Sequence, residues 1–326
     1  MQPLLEIKDL SVEFALRAAK VRAVRNVSLT LNQGERLGLV GESGAGKSVL
    51  GFSIINLISK PGYISGGEVL FKGKDISKYT YEEMRHIRGN RISMIFQDPM
   101  MTLNPVLTVG QQMVETILAH RKVSVKEAEA IALDKLRKVY IPSPEKRLKQ
   151  YPHEFSGGMR QRIVIAISLL TDPDLIIADE PTTALDVTIQ AEIMSLLLEL
   201  CERNNMGLLL ITHDLAVVSE VTQRIAVLYA GRVVEIGSTE QIISNPQHPY
   251  TKGLINALPQ SVHGDRLNQI RGMMPSLINM PRGCPFCPRC DYALERCKTE
   301  IPGLRQCESG TFIACFERDE PGKEAS

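Results

Sequence analysis

The stretch "GESGAGKS", residues 41–48, follows the short apolar run "RLGLV", residues 36–40, and leads into the apolar "VLGFSIINLI". The first run reads as a buried strand, and the longer apolar segment after the glycines reads as a helix. Strand, glycine-rich loop and helix in this order fit the GxxxxGK[ST] pattern, with Gly41, Gly46, Lys47 and Ser48 in the required places and Ser43 and Gly44 within the loop. The glycines let successive backbone N–H groups point inward at a phosphate, and the helix start adds the positive end of its dipole. Lys47 is placed to reach the outer phosphates of a nucleotide, and the Ser48 hydroxyl to ligate Mg²⁺.

A site of this kind needs an acidic partner at the end of another buried strand. "DLIIADEPT", residues 174–182, supplies it. Leu175 to Ala178 suit a parallel strand covered on both faces, with Asp179 and Glu180 at its carboxyl end, where open parallel sheets place their ligands. Asp179 is positioned to hold Mg²⁺ and Glu180 to orient an attacking water. The pair turns a phosphate-binding loop into an expected ATPase.

"EFSGGMRQRIVIAISLL", residues 154–170, adds a second anion site. Ser156 is a good N-cap, two glycines follow, and Ile163, Ala166, Ile167 and Leu170 fall on one helical face. A separate helix start with bare glycine amides points to a nucleotide held elsewhere. At this point the chain resembles the ATP-binding cassette (ABC) family, in which the signature motif of one subunit closes over the ATP held by a facing subunit. The motif here is "FSGGM"; it departs from the commonest "LSGGQ" at Phe155 and Met159 and keeps Ser156, Gly157 and Gly158.

The resemblance covers roughly residues 4–258 and implies further roles. Phe14 occupies the place of the aromatic that stacks on adenine. Gln97, in "IFQDP", matches the glutamine that touches the metal site, and Asp186, closing "TALD", matches the loop that crosses the dimer interface. His213, in "LLLITHD", matches the switch histidine near the γ-phosphate. The fold it implies is α/β: a P-loop ABC nucleotide-binding domain with a RecA-like core, an antiparallel β subdomain and an inserted helical subdomain. The helical lobe, about residues 98–155, also follows from the residues themselves, because "TVGQQMVETILAHRKVSVKEAEAIALDKLRKVY" has helical periodicity and no strand signal. The charge cluster "EKRLKQ", residues 145–150, reads as a solvated face, and Cys201 as a small buried hydrophobe.

Composition limits the partners. A formal net charge of +1 gives no reason to expect a polyanion. The N-terminus has no basic segment leading into an apolar one, and no uncharged apolar run approaches the roughly 18 residues that span a bilayer. The chain is expected to be cytosolic, where thiols stay reduced, so that clustered cysteines point to metal rather than to disulfides. Six of the seven cysteines lie between Cys284 and Cys315.

"NPQHPYTKGLINALP", residues 245–259, begins a helix with Pro249 in its first turn and sets Tyr250, Leu254 and Leu258 along one stripe. With the cysteine-bearing tail, it resembles the C-terminal extension of the ABC subfamily that energises dipeptide and oligopeptide importers. The domain division expected is 1–258 for the nucleotide-binding domain and 259–326 for a small Cys-rich extension. Spacing alone leaves two ligand sets open, since Cys284, Cys287 and Cys290 form the CxxCxxC that opens a bacterial ferredoxin run. The resemblance implies a [4Fe–4S] cluster on Cys284, Cys290, Cys297 and Cys315, with five residues between the first two ligands and six before the third. Zinc on four thiolates is the alternative.

The resemblance further implies a second ABC ATPase subunit in a heterodimer, two transmembrane permease subunits, an extracytoplasmic substrate-binding protein, and a place on the cytoplasmic face of the inner membrane. Importers of nickel or glutathione are alternatives for the substrate. A nucleic-acid-processing ATPase with a cysteine finger is disfavoured, because residues 281–326 hold seven Lys or Arg against eight Asp or Glu. A regulatory cassette without turnover is disfavoured by Glu180 and His213.

Overall fold

Short runs of branched apolar residues bounded by charges or glycines become the strands. In the computed structural model, which describes residues 2–17, 19–183, 185–257, 270–307 and 310–317, "LIIAD" forms the strand Leu175–Asp179, buried at every position. It lies between two parallel neighbours, Ile92–Ile95 and Gly207–Thr212, with Ile92 opposite Leu175 and Leu175 opposite Gly207. A strand covered on both faces has no polar face to present, which is why its sequence shows no alternation.

The chain divides into two compact units. The first comprises Met1–Leu5, Leu31–Arg36 and Phe71–Ile211 and holds these three strands. Between Ile95 and Leu175 the chain forms helices only, chief among them Val109–His120, Val125–Lys138 and Gly157–Ser168. The inserted lobe is therefore helical, as its periodicity indicates. Capping boxes of Thr108 with Gln111 and of Ser124 with Glu127 set two helix starts. Ala128, Ala132 and Leu136 form the buried stripe of Val125–Lys138. Gly157–Ser168 is buried from Ile163 through Ala166 with Ile167 only half-buried, and Leu170 is buried just beyond its end. The charged run 145–150 is exposed or half-exposed, as expected of a solvated face. Cys201 is 1% exposed and burial pushes its thiol up to about 12, the behaviour of a small hydrophobe.

The second unit comprises Glu6–Thr30, Leu37–Leu70 and Thr212–Ser326. One of its sheets has the order Lys20–Leu31, Leu5–Ala15, Gly62–Phe71. The first two are neighbours in the sheet, with the Leu16 N–H donating to the Ala19 carbonyl between them, and so pair as a hairpin. The other sheet is mixed. Arg36–Val40 runs parallel to Arg224–Tyr229, which turns through Ala230 and Gly231, both at positive φ, into antiparallel Arg232–Ser238.

The cysteine-bearing tail is not set apart from this unit. Phe312–Ile313 pairs antiparallel with Arg232–Ser238, and Arg305–Gln306 adds beyond it. Phe286 enters a cluster with Tyr229, Tyr250 and His248, with ring centroids 5.3, 5.5 and 5.8 Å away. Tyr229 and Tyr250 are fully buried and Phe286 is 4% exposed. A tail of this composition reads as too poor in apolar residues to order itself without a metal staple; the structure shows that it borrows the apolar surface of the unit it covers. The helix Pro249–Asn256 buries Tyr250 and half-buries Leu254, while Leu258 lies outside the described residues. No disulfide joins any of the seven cysteines.

Phe286→Ala should remove the centre of this cluster at a cost of about 3–5 kcal/mol. Limited proteolysis of the full chain should then cut within residues 283–317 at protease levels that leave the parent intact. Equal resistance in the two proteins would show that the tail is held by other contacts.

Candidate functional site

The two units each carry part of the predicted chemistry. In the second, residues 41–46 leave the strand Arg36–Val40 and enter the helix Lys47–Ile54. Gly46 caps that helix at φ 101, and a Cβ there would lie 2.5 Å from the Ala23 carbonyl oxygen, so only glycine meets both demands. The helix start has no side-chain cap, and the N-terminal end of a helix is where backbone N–H groups and the dipole favour an anion. Lys47 is 5% exposed, and its Nζ donates to the carbonyls of Gly41 (2.8 Å) and Glu42 (3.1 Å). Ser43 and Gly44 are exposed at the loop tip, Ser48 is half-buried, and so is Phe14 on the strand Leu5–Ala15. His213 is exposed immediately after the strand Gly207–Thr212.

In the first unit, Asp179 ends its strand 3% exposed. Glu180 follows at φ 46, a left-handed backbone unusual for glutamate, with its N–H donating to the Ile211 carbonyl at 2.8 Å. Strain of this kind is characteristic of functional positions. It aims the carboxylate at two donors: Gln97 Nε2 at 3.2 Å and Thr183 Oγ1 at 3.0 Å from Oε2. The structure thus joins Gln97 and Glu180, which lie far apart in sequence, and adds Thr183, which the sequence reading passed over. Ser156 caps the helix Gly157–Ser168, its hydroxyl accepting from the Met159 N–H at 3.4 Å. Ser156 and Gly157 are exposed and Gly158 half-buried, while Phe155 beneath them is 3% exposed. The departure from the commonest motif at Phe155 is therefore a packing residue, and the donors stay open. Asp186 caps the helix Val187–Asn204 by accepting from the Ile189 N–H at 3.0 Å.

Residues 24–183 match the family described as ABC transporter, and residues 234–297 match that described as oligopeptide/dipeptide transporter, C-terminal region. The chain is 48% identical to the dipeptide transport ATP-binding protein DppD of Bacillus subtilis, over 100% of this chain and 98% of that one. This chain belongs to the ABC-transporter ATPase family. It is also 48% identical to a putative peptide import ATP-binding protein of Brucella melitensis, with 98% of each chain covered. Among solved structures it resembles a dimeric, post-hydrolysis state of the ATP-binding cassette MJ0796 bound to ADP and phosphate. That match has 28% identity and a TM-score of 0.65, over 72% of this chain and 98% of the other. The fold is accordingly the RecA-like P-loop nucleotide-binding fold, with mixed sheet and helical parts.

In this ABC ATPase the C-terminal region reaches the phosphate loop. The Glu42 N–H donates to Tyr250 Oη at 2.9 Å. Both Glu42 carboxylate oxygens accept from the Arg289 guanidinium, at 2.9 and 3.0 Å. Arg289, with its side chain 6% exposed, also donates from Nε to the Arg271 carbonyl and lies over the Tyr229 and Phe286 rings. The "HPY" segment now has a role for each residue. His248 is fully buried, and desolvation lowers its pKa to about 3, so the neutral ring accepts the Tyr250 N–H at Nδ1. Pro249 opens the helix and Tyr250 holds the loop. Glu235, also fully buried, accepts from the N–H groups of Gln247 and His248.

Cys284, Cys287, Cys290, Cys297 and Cys315 border one small cavity with Phe286 and Phe316. Cys307 lies outside it, its Sγ donating to the Thr311 carbonyl. Burial pushes the thiols of Cys284 and Cys290 up to about 11 and about 12, with the neighbouring thiols adding to the effect. Among the described residues, no three His, Cys, Asp or Glu converge into a group that could hold a metal ion. The expected metal-bearing tail is thus seen as a thiol-bordered cavity and not as a closed ligand set. The donor chemistry suits iron or zinc, while the geometry leaves Cys287 beside the four anticipated ligands.

Breaking the Glu42–Arg289 pair should loosen the loop. Arg289→Gln and Glu42→Gln should each weaken binding of a fluorescent ATP analogue about tenfold, and the double variant should lose no more than either alone. Additive losses, or none, would show that the pair does not act on the loop.

Proposed function

We propose that this chain is the ATP-hydrolysing subunit of a peptide importer. The observation that carries the reading is the Gln97–Glu180–Thr183 cluster at the end of a buried parallel strand, in a chain that also holds a complete phosphate loop. Near-complete coverage of relatives whose names specify dipeptide or peptide import supports the peptide assignment.

The loop residues Gly41, Ser43, Gly44, Gly46 and Lys47 cradle the ATP phosphates, and Phe14 stacks on adenine. Ser48, Gln97 and Asp179 are the residues that would hold Mg²⁺, which would supply charge neutralisation to the phosphates when bound. Glu180 accepts a hydrogen bond from the attacking water and steers it in line with the leaving ADP oxygen. Its bonds from Gln97 and Thr183 fix the carboxylate for that task. His213 contacts the γ-phosphate. Ser156, Gly157 and Gly158 close over ATP held by a facing ATPase subunit, with Asp186 on the loop between them, and a heterodimer is the arrangement proposed.

No helix among the described residues is long and apolar enough to cross a membrane; separate permease subunits and an extracytoplasmic binding protein complete the importer proposed here. Met101 and Val106, 86% and 74% exposed just after Gln97, offer an apolar surface for a permease contact at the cytoplasmic face of the membrane. In the tail, Cys284, Cys290, Cys297 and Cys315 are the proposed thiolates for a [4Fe–4S] cluster, with zinc as the alternative. Either would cross-link the segments that carry Arg289 and the strand Phe312–Ile313.

Glu180→Gln should keep ATP binding and lower hydrolysis in the assembled transporter by about two orders of magnitude or more, the scale set by loss of a positioned base. Unchanged turnover would remove Glu180 from this role. For the tail, anaerobically purified protein should contain iron and sulfide in about equal amounts, as a [4Fe–4S] cluster requires. Cys290→Ser should lose both, and Cys307→Ser should retain them. Stoichiometric zinc without iron would replace the cluster with the alternative, and loss of iron in Cys287→Ser would change the ligand set.

A further inference from the structure

A cavity of about 450 Å³ lies in the second unit, bordered by the strands Leu5–Ala15, Lys20–Leu31 and Arg232–Ser238 and by the tail. Its volume falls within the range of small-molecule sites. Two arginines line it, Arg25 and Arg232. Arg25 Nε donates to the Arg22 carbonyl at 3.2 Å. Arg232 Nε is buried and has no hydrogen-bond partner. Neither guanidinium forms an ion pair among the described residues, and burial together with neighbouring arginines lowers the pKa of both. Two half-buried guanidiniums that form no ion pair favour an anion able to join them.

One carboxylate shares the lining, that of Asp9, whose Oδ1 accepts from the Ser28 hydroxyl at 3.3 Å. Asp9 and its cavity neighbour Asn26 both sit at positive φ, 47° and 49°, within otherwise extended strands. Backbone strain of this kind persists where the surrounding structure demands a particular side-chain placement. The tail adds apolar lining: Leu304 and Phe312, 38% and 41% exposed, both border the cavity.

We propose that this cavity binds a short zwitterion of the peptide class, with its free carboxylate on Arg25 and Arg232, its ammonium against Asp9, and an apolar side chain on Leu304 and Phe312. A phosphate dianion matches this lining less well, because Asp9 would repel it and the apolar residues would stay uncovered. The inference rests on the cavity and not on which solute the importer moves. The site bears on ATP through two backbone bonds. The Arg25 N–H donates to the Gly231 carbonyl, and the Gly231 N–H donates to the Ala45 carbonyl of the phosphate loop, each at 2.8 Å. Arg232 follows Gly231 directly, so a carboxylate bridging the two arginines holds the turn that supports the loop.

The test is calorimetric titration of the full chain, saturated with a non-hydrolysable ATP analogue, with alanyl-phenylalanine, its C-terminal amide, its N-acetyl form and inorganic phosphate. The dipeptide should bind without displacing the nucleotide. The amide, and the dipeptide on Arg25→Gln or Arg232→Gln, should bind about tenfold more weakly or worse, the effect of losing a charge-assisted bond. Thermal melts of the variants check that they fold. Asp9→Asn should weaken the dipeptide but not the N-acetyl form. Absence of dipeptide binding at millimolar concentration, binding indifferent to both arginines in folded variants, or phosphate binding as tight as the dipeptide would each overturn the proposal.

Discussion

The bidentate pair between Glu42 and Arg289 joins the first turn of the phosphate loop to a tail that begins more than two hundred residues later in the chain. A guanidinium that is 6% exposed must have its charge matched, and a carboxylate placed for both Nη groups does so with two parallel bonds. The remaining Nε is taken by the Arg271 carbonyl, and the cation's faces lie against Tyr229 and Phe286. Arg289 thus has little freedom to move without disturbing the loop, the aromatic cluster or the chain at Arg271. The extension is therefore tied directly to the loop by hydrogen bonds and a charge pair.

Around that pair the packing is aromatic and its polar groups are satisfied internally. His248 and Glu235 are both fully buried, and each meets backbone N–H groups, so neither stands as an isolated charge. The neutral imidazole is what allows the "HPY" helix to start inside the unit. Burying a protonated ring there would cost more than the contacts return. The thiols beside this cluster share its dryness, which is why their pKa values rise, and a bound metal would reverse that shift by favouring the thiolates.

The residues proposed for catalysis collect at strand ends because a parallel sheet exposes its carboxyl edge to the loops that follow. Asp179 completes its strand with its backbone paired, and Glu180 is thrown into a left-handed turn immediately beyond. That turn, with the donors Gln97 and Thr183, orients a carboxylate that sequence order alone leaves unoriented.

Local chemistry was legible in the sequence wherever one short segment carries the whole requirement. Gly46 and Lys47 announce the loop because only those residue types tolerate that backbone and supply that charge, and "LIIAD" announces a doubly covered strand because it lacks a polar face. Ser156 and the glycines after it mark a helix start for the same local reason. The partners of these groups were not legible, since nothing along the chain says that Arg289 seeks Glu42, that Thr183 supports Glu180, or that Phe286 fills the space between Tyr229 and Tyr250. In sequence Arg289 is one of the residues between Cys287 and Cys290, with nothing to mark it as buried. Only the tertiary structure buries it, and burial is what turns an ordinary surface charge into one that must be paired. The cysteines show the same division: their clustering raises the expectation of a metal and their spacing leaves the ligand set open, while which thiols border one cavity is decided by how the tail folds back on the unit it covers.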